Sequence, residues 1–361
     1  MMFRVIIFIA MILLILIIGF DVFKLKKFDF IKKVKNKKLQ WAIALLPIVI
    51  ISLLFNYVNV FVILIHLAIF FLLSDLIVYL IKKVFKKEFK FYLSGILAIS
   101  CTIIYLGIAF YIAHNVVETK YTLFTEKEIG EGFKIVLLSD SHVGTTFDGN
   151  GFYKHMEEIS KVDSDILIID GDYVDDDTTK IDMIRACEGL GLAKPKYGVY
   201  FIYGNHDKGY FNTRDFTYKD LENELKKNNV IILEDEIKEI NEYITIIGRK
   251  DKSDKTRKSI QDLTMNLDKN KYIISINHQP NDYDNEMNNV DLVLSGHSHG
   301  GQMFPLAYFG KLTKANDEFY GLHTRGNTNF IVTSGISGWR AGFKTGAKSE
   351  YIVVEIKKKV N

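Results

Sequence analysis

The sequence predicts an α/β domain carried behind a bundle of membrane helices. Apolar residues crowd into the first third, short β-branched runs alternate with amphipathic stretches from residue 119 onward, and the charge balance changes sign between the two parts. The 361 residues are 48% hydrophobic with a mean hydropathy of +0.09, more apolar than an ordinary soluble enzyme. Residues 1–118 hold 14 Lys and Arg against 5 Asp and Glu, whereas residues 119–361 hold 32 against 38. A basic membrane region, 1–118, therefore precedes a mildly acidic globular domain, 119–361. That acidity speaks against nucleic acid as a partner, which would call for clustered basic surface. Cys101 and Cys187 are the only cysteines, one in each part, so neither a disulfide framework nor a Cys-based zinc site can be built.

Four spans are expected in the first part. Phe3 to Phe20 is interrupted only by Arg4 and just reaches across a hydrocarbon core of roughly 30 Å. It reads as a span rather than a cleaved leader, because no small-x-small site follows Ile18. Trp41 to Leu80 carries one formal charge, Asp75, and is about twice the length needed, so it folds back at Asn56, Tyr57 and Asn59. The fourth run extends from Phe91 to about Ala113. Lysines fill the first connection (Lys24 to Lys38) and the third (Lys82 to Lys90), and the second carries no charge. Lysine-rich loops stay cytoplasmic, which puts residues 119–361 on the outer face of the cell membrane. Of the ionisable groups in the spans, His66 and Asp75 fall on opposite helix faces and form no joint site. Asp75 is expected to pair with a loop lysine, and His114 to sit at the interface.

In the second part, strands are expected at Lys134–Leu138, Ile166–Ile169, Gly198–Tyr203, Val230–Leu233, Tyr243–Ile247, Tyr272–Ile276, Val290–Leu294, Phe330–Thr333 and Tyr351–Ile356, with helices such as Phe152–Lys161, Lys180–Leu192 and Phe216–Asn228 between them. Five strands run directly into clusters of metal-ligand type: Ser139-Asp140-Ser141-His142, Asp170-Gly171-Asp172, Gly204-Asn205-His206-Asp207, Asn277-His278 and Gly296-His297-Ser298-His299. In a mainly parallel sheet these C-terminal ends share one edge, so groups far apart in sequence converge there. Glycines bracketing two histidines suit close approach of backbone to a metal centre.

This ordered set resembles the calcineurin-like metallophosphoesterases, whose motifs are DxH, GDxxD, GNH[DE], an isolated His and GHxH. They are met here by Asp140 and His142; Gly171, Asp172 and Asp175; Gly204 to Asp207; His278; and His297 with His299. The longer stretch Gly296–Leu306 is similar to the membrane-associated branch. The resemblance covers about residues 119–361 and implies a four-layer α/β/β/α sandwich behind a four-helix transmembrane region. It also implies two divalent ions: one on Asp140, His142, Asp172 and His299, the other on Asp172, Asn205, His278 and His297, with Asp172 bridging. Mixed nitrogen and oxygen ligands without thiolate fit manganese, iron or zinc, and manganese is the first choice. A metal-bridging hydroxide would attack the phosphoester directly, and His206, oriented by Asp175, would protonate the leaving group.

Around these residues, Ser141, Asp176, Asp177 and Asp207 read as turn or solvated loop residues, and His155 and His323 as structural. Arg325 and Arg340 are candidate phosphate contacts, Arg340 the better placed in its Gly-flanked loop; Trp339 and Phe343 read as packing or ligand contacts. The expected activity is membrane-anchored phosphoester hydrolysis acting on cell-envelope phospho-compounds. Two other readings fit the same sequence: a membrane sensor or transporter whose outer domain only binds a phosphorylated ligand, and a phosphatase facing the cytoplasm.

Overall fold

The computed structural model describes residues 2–211 and 213–359. The chain divides into two compact units that meet between Ala109 and Phe110. The first is helical: α1 (Met2–Leu25), α2 (Asp29–Lys32), α3 (Lys37–Leu54), α4 (Tyr57–Phe85) and most of α5 (Leu93–His114). Asn56 ends the expected reversal as the N-cap of α4, its side chain accepting from the Asn59 amide. Three of these helices, α3, α4 and α5, are long and apolar enough to cross a membrane among the described residues. The expected span Phe3–Phe20 lies within α1, where the side chains of residues 2–7, 9 and 10 fall outside the described ones. Asp75 pairs with Lys24, a loop-flanking lysine at the end of α1. His66 instead contacts the Val62 carbonyl and stacks on Tyr105, well apart in its partners from Asp75.

The second unit alternates strands and helices: β1 (Val117–Thr125), β2 (Phe133–Leu138), α6 (Gly149–Ile159), β3 (Ile166–Asp170), α7 (Lys180–Leu190), β4 (Val199–Ile202), α8 (Tyr218–Lys227), β5 (Val230–Ile232), β6 (Glu236–Glu239), β7 (Ile244–Gly248), α9 (Ile260–Thr264), β8 (Tyr272–Ile276), α10 (Tyr283–Glu286), β9 (Leu292–Ser295), α11 (Leu306–Thr313), β10 (Gly321–Arg325), β11 (Thr328–Val332) and β12 (Glu350–Lys358). They build two six-stranded mixed sheets, ordered β1-β12-β2-β3-β4-β5 and β10-β11-β9-β8-β7-β6. Two mixed sheets agree with the two sheet layers that the family resemblance implies. Each has a parallel centre, β2-β3-β4-β5 in one and β7-β8-β9-β11 in the other, with antiparallel partners outside it.

Side-chain alternation explains the stacking. Ile135 and Leu137 of β2, Ile166 and Ile168 of β3, and Ile274 and Ile276 of β8 join one core between the sheets. Their neighbours Val136, Leu138, Leu167 and Ile169 point the other way, onto Phe152 and Met156 of α6 and Met183 and Leu190 of α7. Ile273 and Val293 likewise face Ile260 and Leu263 of α9. Strands buried on both faces read as continuous Ile/Val/Leu runs, which is why these were visible in the sequence. The strands missing from the expectation, β1, β6 and β10, are edge strands rich in polar residues, and β6 is exposed throughout.

Candidate metal centre and active site

Each parallel centre aims its C-terminal ends at the same rim. From the first sheet come the loops after β2 (Asp140, His142), β3 (Asp172, Asp175) and β4 (Asn205, His206); from the second come those after β8 (His278) and β9 (His297, His299). Asp140, His142 and His299 form one group, and Asp172, His278 and His297 another, each with candidate donor atoms within 4.8 Å of one another. The turns are abrupt. Asp140, His142, Asp172, His297 and His299 all have positive φ, between 35° and 64°, a conformation that costs a side-chain-bearing residue of order 1 kcal/mol or more and persists where surroundings enforce it. Gly171 also has positive φ, 68°, and a Cβ there would sit 2.8 Å from His278 Nδ1.

The backbone fixes the histidine tautomers. His278 Nδ1 lies 2.7 Å from the Asp170 carbonyl and His299 Nδ1 lies 3.2 Å from that of Ser337. A carbonyl only accepts, so these nitrogens donate, and in the neutral ring it is Nε2 that carries the lone pair. His142 Nδ1 likewise faces Asp175 Oδ2 at 3.2 Å. His142 Nε2 and His299 Nε2 lie 3.2 Å apart, an approach of two ring nitrogens that a shared cation would make favourable. Asn205 is set up in the same sense: its amide donates to the Tyr210 hydroxyl at 2.9 Å, and its buried Oδ1 has no hydrogen-bond partner among the described residues.

The electrostatics agree. Burial holds the His297 imidazole down to about 4 with help from the positive charge of His278, and burial with His142 holds His299 well below the ordinary histidine value. Both are therefore neutral, as ligands must be. Burial also opposes a charge on His278, yet Asp172, Asp140 and Asp170 overcome it and raise His278 well above its usual range. The same convergence of carboxylates favours a cation. Asp172 is driven down despite its burial by His278, His142 and His206.

Beyond the two groups, His206 Nδ1 lies 3.2 Å from Asp175 Oδ1. Burial would lower the His206 pKa, but its contact with Asp175 and the charge of Asp172 raise it. Asp175 also contacts His142 through its other oxygen and lies 3.7 Å from Arg340, so it orients three cationic or ligating groups at once. Arg340 lines the 480 Å³ cavity over the site and pairs with Asp177. Arg325 is elsewhere, on edge strand β10 beside Glu318. Ser141 is buried with an unpartnered hydroxyl among the described residues, His155 packs on Phe147, and His323 contacts the Tyr320 carbonyl.

Two loop acids are corrected. Asp207 is fully buried and accepts from the amides of Asp172, Tyr173, Val174 and Gly204 at 2.7 to 3.1 Å; burial, then the charge of Asp172, pushes it up to about 6. It ties the β3 loop to the β4 loop. Asp176 is buried as well and accepts from the amides of Tyr210 and Phe211, both at 3.1 Å, which places the tyrosine that holds Asn205. Asp177 is the solvated one, 70% exposed at its side chain. An aspartate directly after a candidate ligand motif was the available signal for Asp207.

Comparisons with known proteins fit this centre. A model of the calcineurin-like phosphoesterase family matches residues 133–301. An uncharacterized metallophosphoesterase of Aquifex aeolicus is 34% identical over 200 residues, 52% of this chain and 72% of that protein. One of Campylobacter jejuni is 28% identical over 276 residues, 73% of this chain and 69% of that protein. A transmembrane protein with metallophosphoesterase domain from Danio rerio is 26% identical over 242 residues, 63% of this chain and 53% of that protein. With its apolar helices, the chain is a membrane-associated protein. It belongs to the calcineurin-like metallophosphoesterases, as a metal-dependent phosphoesterase.

Proposed function

We propose that the domain 119–361, a four-layer α/β/β/α sandwich, hydrolyses phosphoesters on two divalent cations, manganese being the first candidate. Asp140, His142, Asp172 and His299 would hold one, and Asp172, Asn205, His278 and His297 the other. The facing Nε2 atoms of His142 and His299 carry this reading, because two ring nitrogens held 3.2 Å apart beside Asp140 and Asp172 suit a shared cation. Such a pair supplies Lewis-acid polarisation of the phosphoryl group and acidifies a coordinated water, making a nucleophile available near neutral pH.

The chain does the rest. His206, kept protonated by Asp175, hands its proton to the leaving oxygen, and Arg340 pairs with the phosphoryl group from the cavity wall. Ser141 takes no covalent part, since its hydroxyl lacks a hydrogen-bonded base among the described residues. Hydrolysis is therefore direct. In the membrane, α1 completes a set of four spans with α3, α4 and α5, the lysine-rich connections stay inside, and the domain faces outward onto envelope phospho-compounds.

The test uses purified full-length protein with added Mn²⁺, Fe²⁺ or Zn²⁺, assayed on p-nitrophenyl phosphate and bis(p-nitrophenyl) phosphate beside Asp172→Asn. Expected are two bound metal equivalents by elemental analysis and turnover that the variant loses. Metal uptake without turnover on any ester would instead favour a ligand-binding outer domain.

A further inference from the structure

The stretch after the last two histidines contains a helix built inside out. In α11 the small residues face the domain, Ala307 against Gly301 and Gly310 against the Phe319 ring. Among the described side chains, Phe304, Leu306, Tyr308 and Leu312 face away, 60%, 54%, 65% and 79% exposed. Phe304, Tyr308 and Leu312 recur at four-residue spacing along one face, with the rings of Phe304 and Tyr308 5.9 Å apart. A globular domain normally turns that stripe inward, and a contiguous apolar patch on the outside marks a surface that something covers.

The neighbourhood identifies the cover. Gln302, two residues before Phe304, donates its side-chain amide to the carbonyls of Trp339, Ala341 and Phe343 and accepts from the Trp339 amide. The Phe304 amide donates to Thr345 Oγ1 at 2.9 Å. This same loop is seated on the last turn of α5: Phe343 packs edge-on against Phe110 at 6.3 Å, and Ser349 Oγ donates to the Ala113 carbonyl at 2.7 Å. Since α5 is a membrane-length apolar helix, its last turn marks where the chain leaves the bilayer, and exposed Phe110 and Tyr111 are of interfacial type. Charge is also matched. From His299 to Asn316 there are two lysines, Lys311 and Lys314, both exposed, and no carboxylate, which suits anionic headgroups.

We propose that Phe304–Lys314 is an interfacial element lying on the bilayer that α5 leaves, and that the metal centre accordingly acts on phosphoesters whose lipid portion stays in the membrane. The loop that borders the patch also lines the active-site cavity. Trp339, clamped by Gln302, is also a wall of the active-site cavity, with its ring 5.8 Å from His206, and Tyr210 and Phe211 are exposed on the same cavity. An amphiphile can therefore present its phosphate to the centre without withdrawing its chains from the bilayer. The substrate half of this inference rests on the hydrolase reading above; the docking half does not.

Two measurements on full-length protein reconstituted in phosphatidylglycerol/phosphatidylcholine vesicles test it. The first places a reporter at the patch, Leu306→Trp in a Trp41→Phe, Trp339→Phe background, and substitutes brominated phosphatidylcholine. Insertion to a depth of about 5–10 Å quenches the emission, and emission equal to that in unbrominated vesicles overturns the docking. The second compares wild type with Leu306→Asn/Leu312→Asn, both at exposed positions, on dioleoyl phosphatidic acid in vesicles and on soluble p-nitrophenyl phosphate. The variant should lose about tenfold in kcat/KM on the lipid and keep its rate on the soluble ester. Equal loss on both, no loss on either, or a dimer falling to monomer in the variant together with absent quenching would overturn the proposal, the last by assigning the face to a second copy. Quenching with no hydrolysis of either ester by wild type would leave the docking intact and sink the hydrolase reading instead.

Discussion

The two ends of the sheets make a controlled comparison. At the end where β2, β3, β4, β8 and β9 finish, a 480 Å³ cavity gathers histidines and carboxylates from both sheets. At the opposite end, where β2 and β7 begin, lies a larger cavity of 630 Å³ lined by Glu131, Lys134, Asp165, Lys196, Glu242, Glu355 and Lys357. There both signs of charge alternate around an open mouth, and among the described residues no three metal-type ligands converge. Volume does not make a site. What distinguishes the smaller cavity is that its candidate ligands are mostly buried, with two histidines set by backbone carbonyls and five of the residues at positive φ, whereas the polar groups of the larger one are partly or fully exposed.

Removing the charge that joins the two candidate ligand groups should give the largest effect. Asp172→Asn is expected to reduce kcat/KM about a thousandfold, and a loss below tenfold would mean the cavity works without that carboxylate. Next comes His206→Ala, with a loss of roughly 100-fold or more if it is the general acid. Its partner gives the pH signature. Asp175 raises the His206 pKa, so Asp175→Asn lowers it and the proton is lost earlier on going alkaline. The alkaline limb of the kcat/KM profile should accordingly move to lower pH; a limb that stays put separates Asp175 from this role.

Gly171→Ala tests whether the geometry, rather than the ligands alone, defines this end. Positive φ and the close His278 ring predict a loss of about 2–4 kcal/mol by denaturant titration, against under about 1 kcal/mol if the turn can relax. At the other end, Lys196→Ala should change stability by less than about 0.5 kcal/mol and leave turnover alone; any marked drop in activity would break the contrast between the ends.

The candidate ligands were readable because each strand end carries its own short cluster, and parallel strands bring successive clusters to one edge whichever sheet they belong to. That there are two sheets was carried by the family resemblance and not by the strand pattern, since strands of either sheet are buried on both faces and look alike. Asp207 and Asp176 escaped notice for a different reason. Their partners are backbone amides of other loops, and nothing in the residues at positions 172–174 or 210–211 advertises an amide in need of an acceptor. That the apolar stripe of α11 faces outward was not legible, because periodicity in the sequence does not say which way a stripe turns.

One pairing has a temporal consequence. β1 follows α5 after two residues and lies parallel to β12 over nine residues, Val117 opposite Glu350 through Thr125 opposite Lys358, while β12 also supplies the outer neighbour of β2. At 5–20 residues per second, translation takes roughly 10 to 50 s to travel from one partner to the other. Throughout that interval β1 and β2 are already made with their ladder groups open to β12, so nonsense changes that remove β12 should yield aggregates rather than a weakened enzyme.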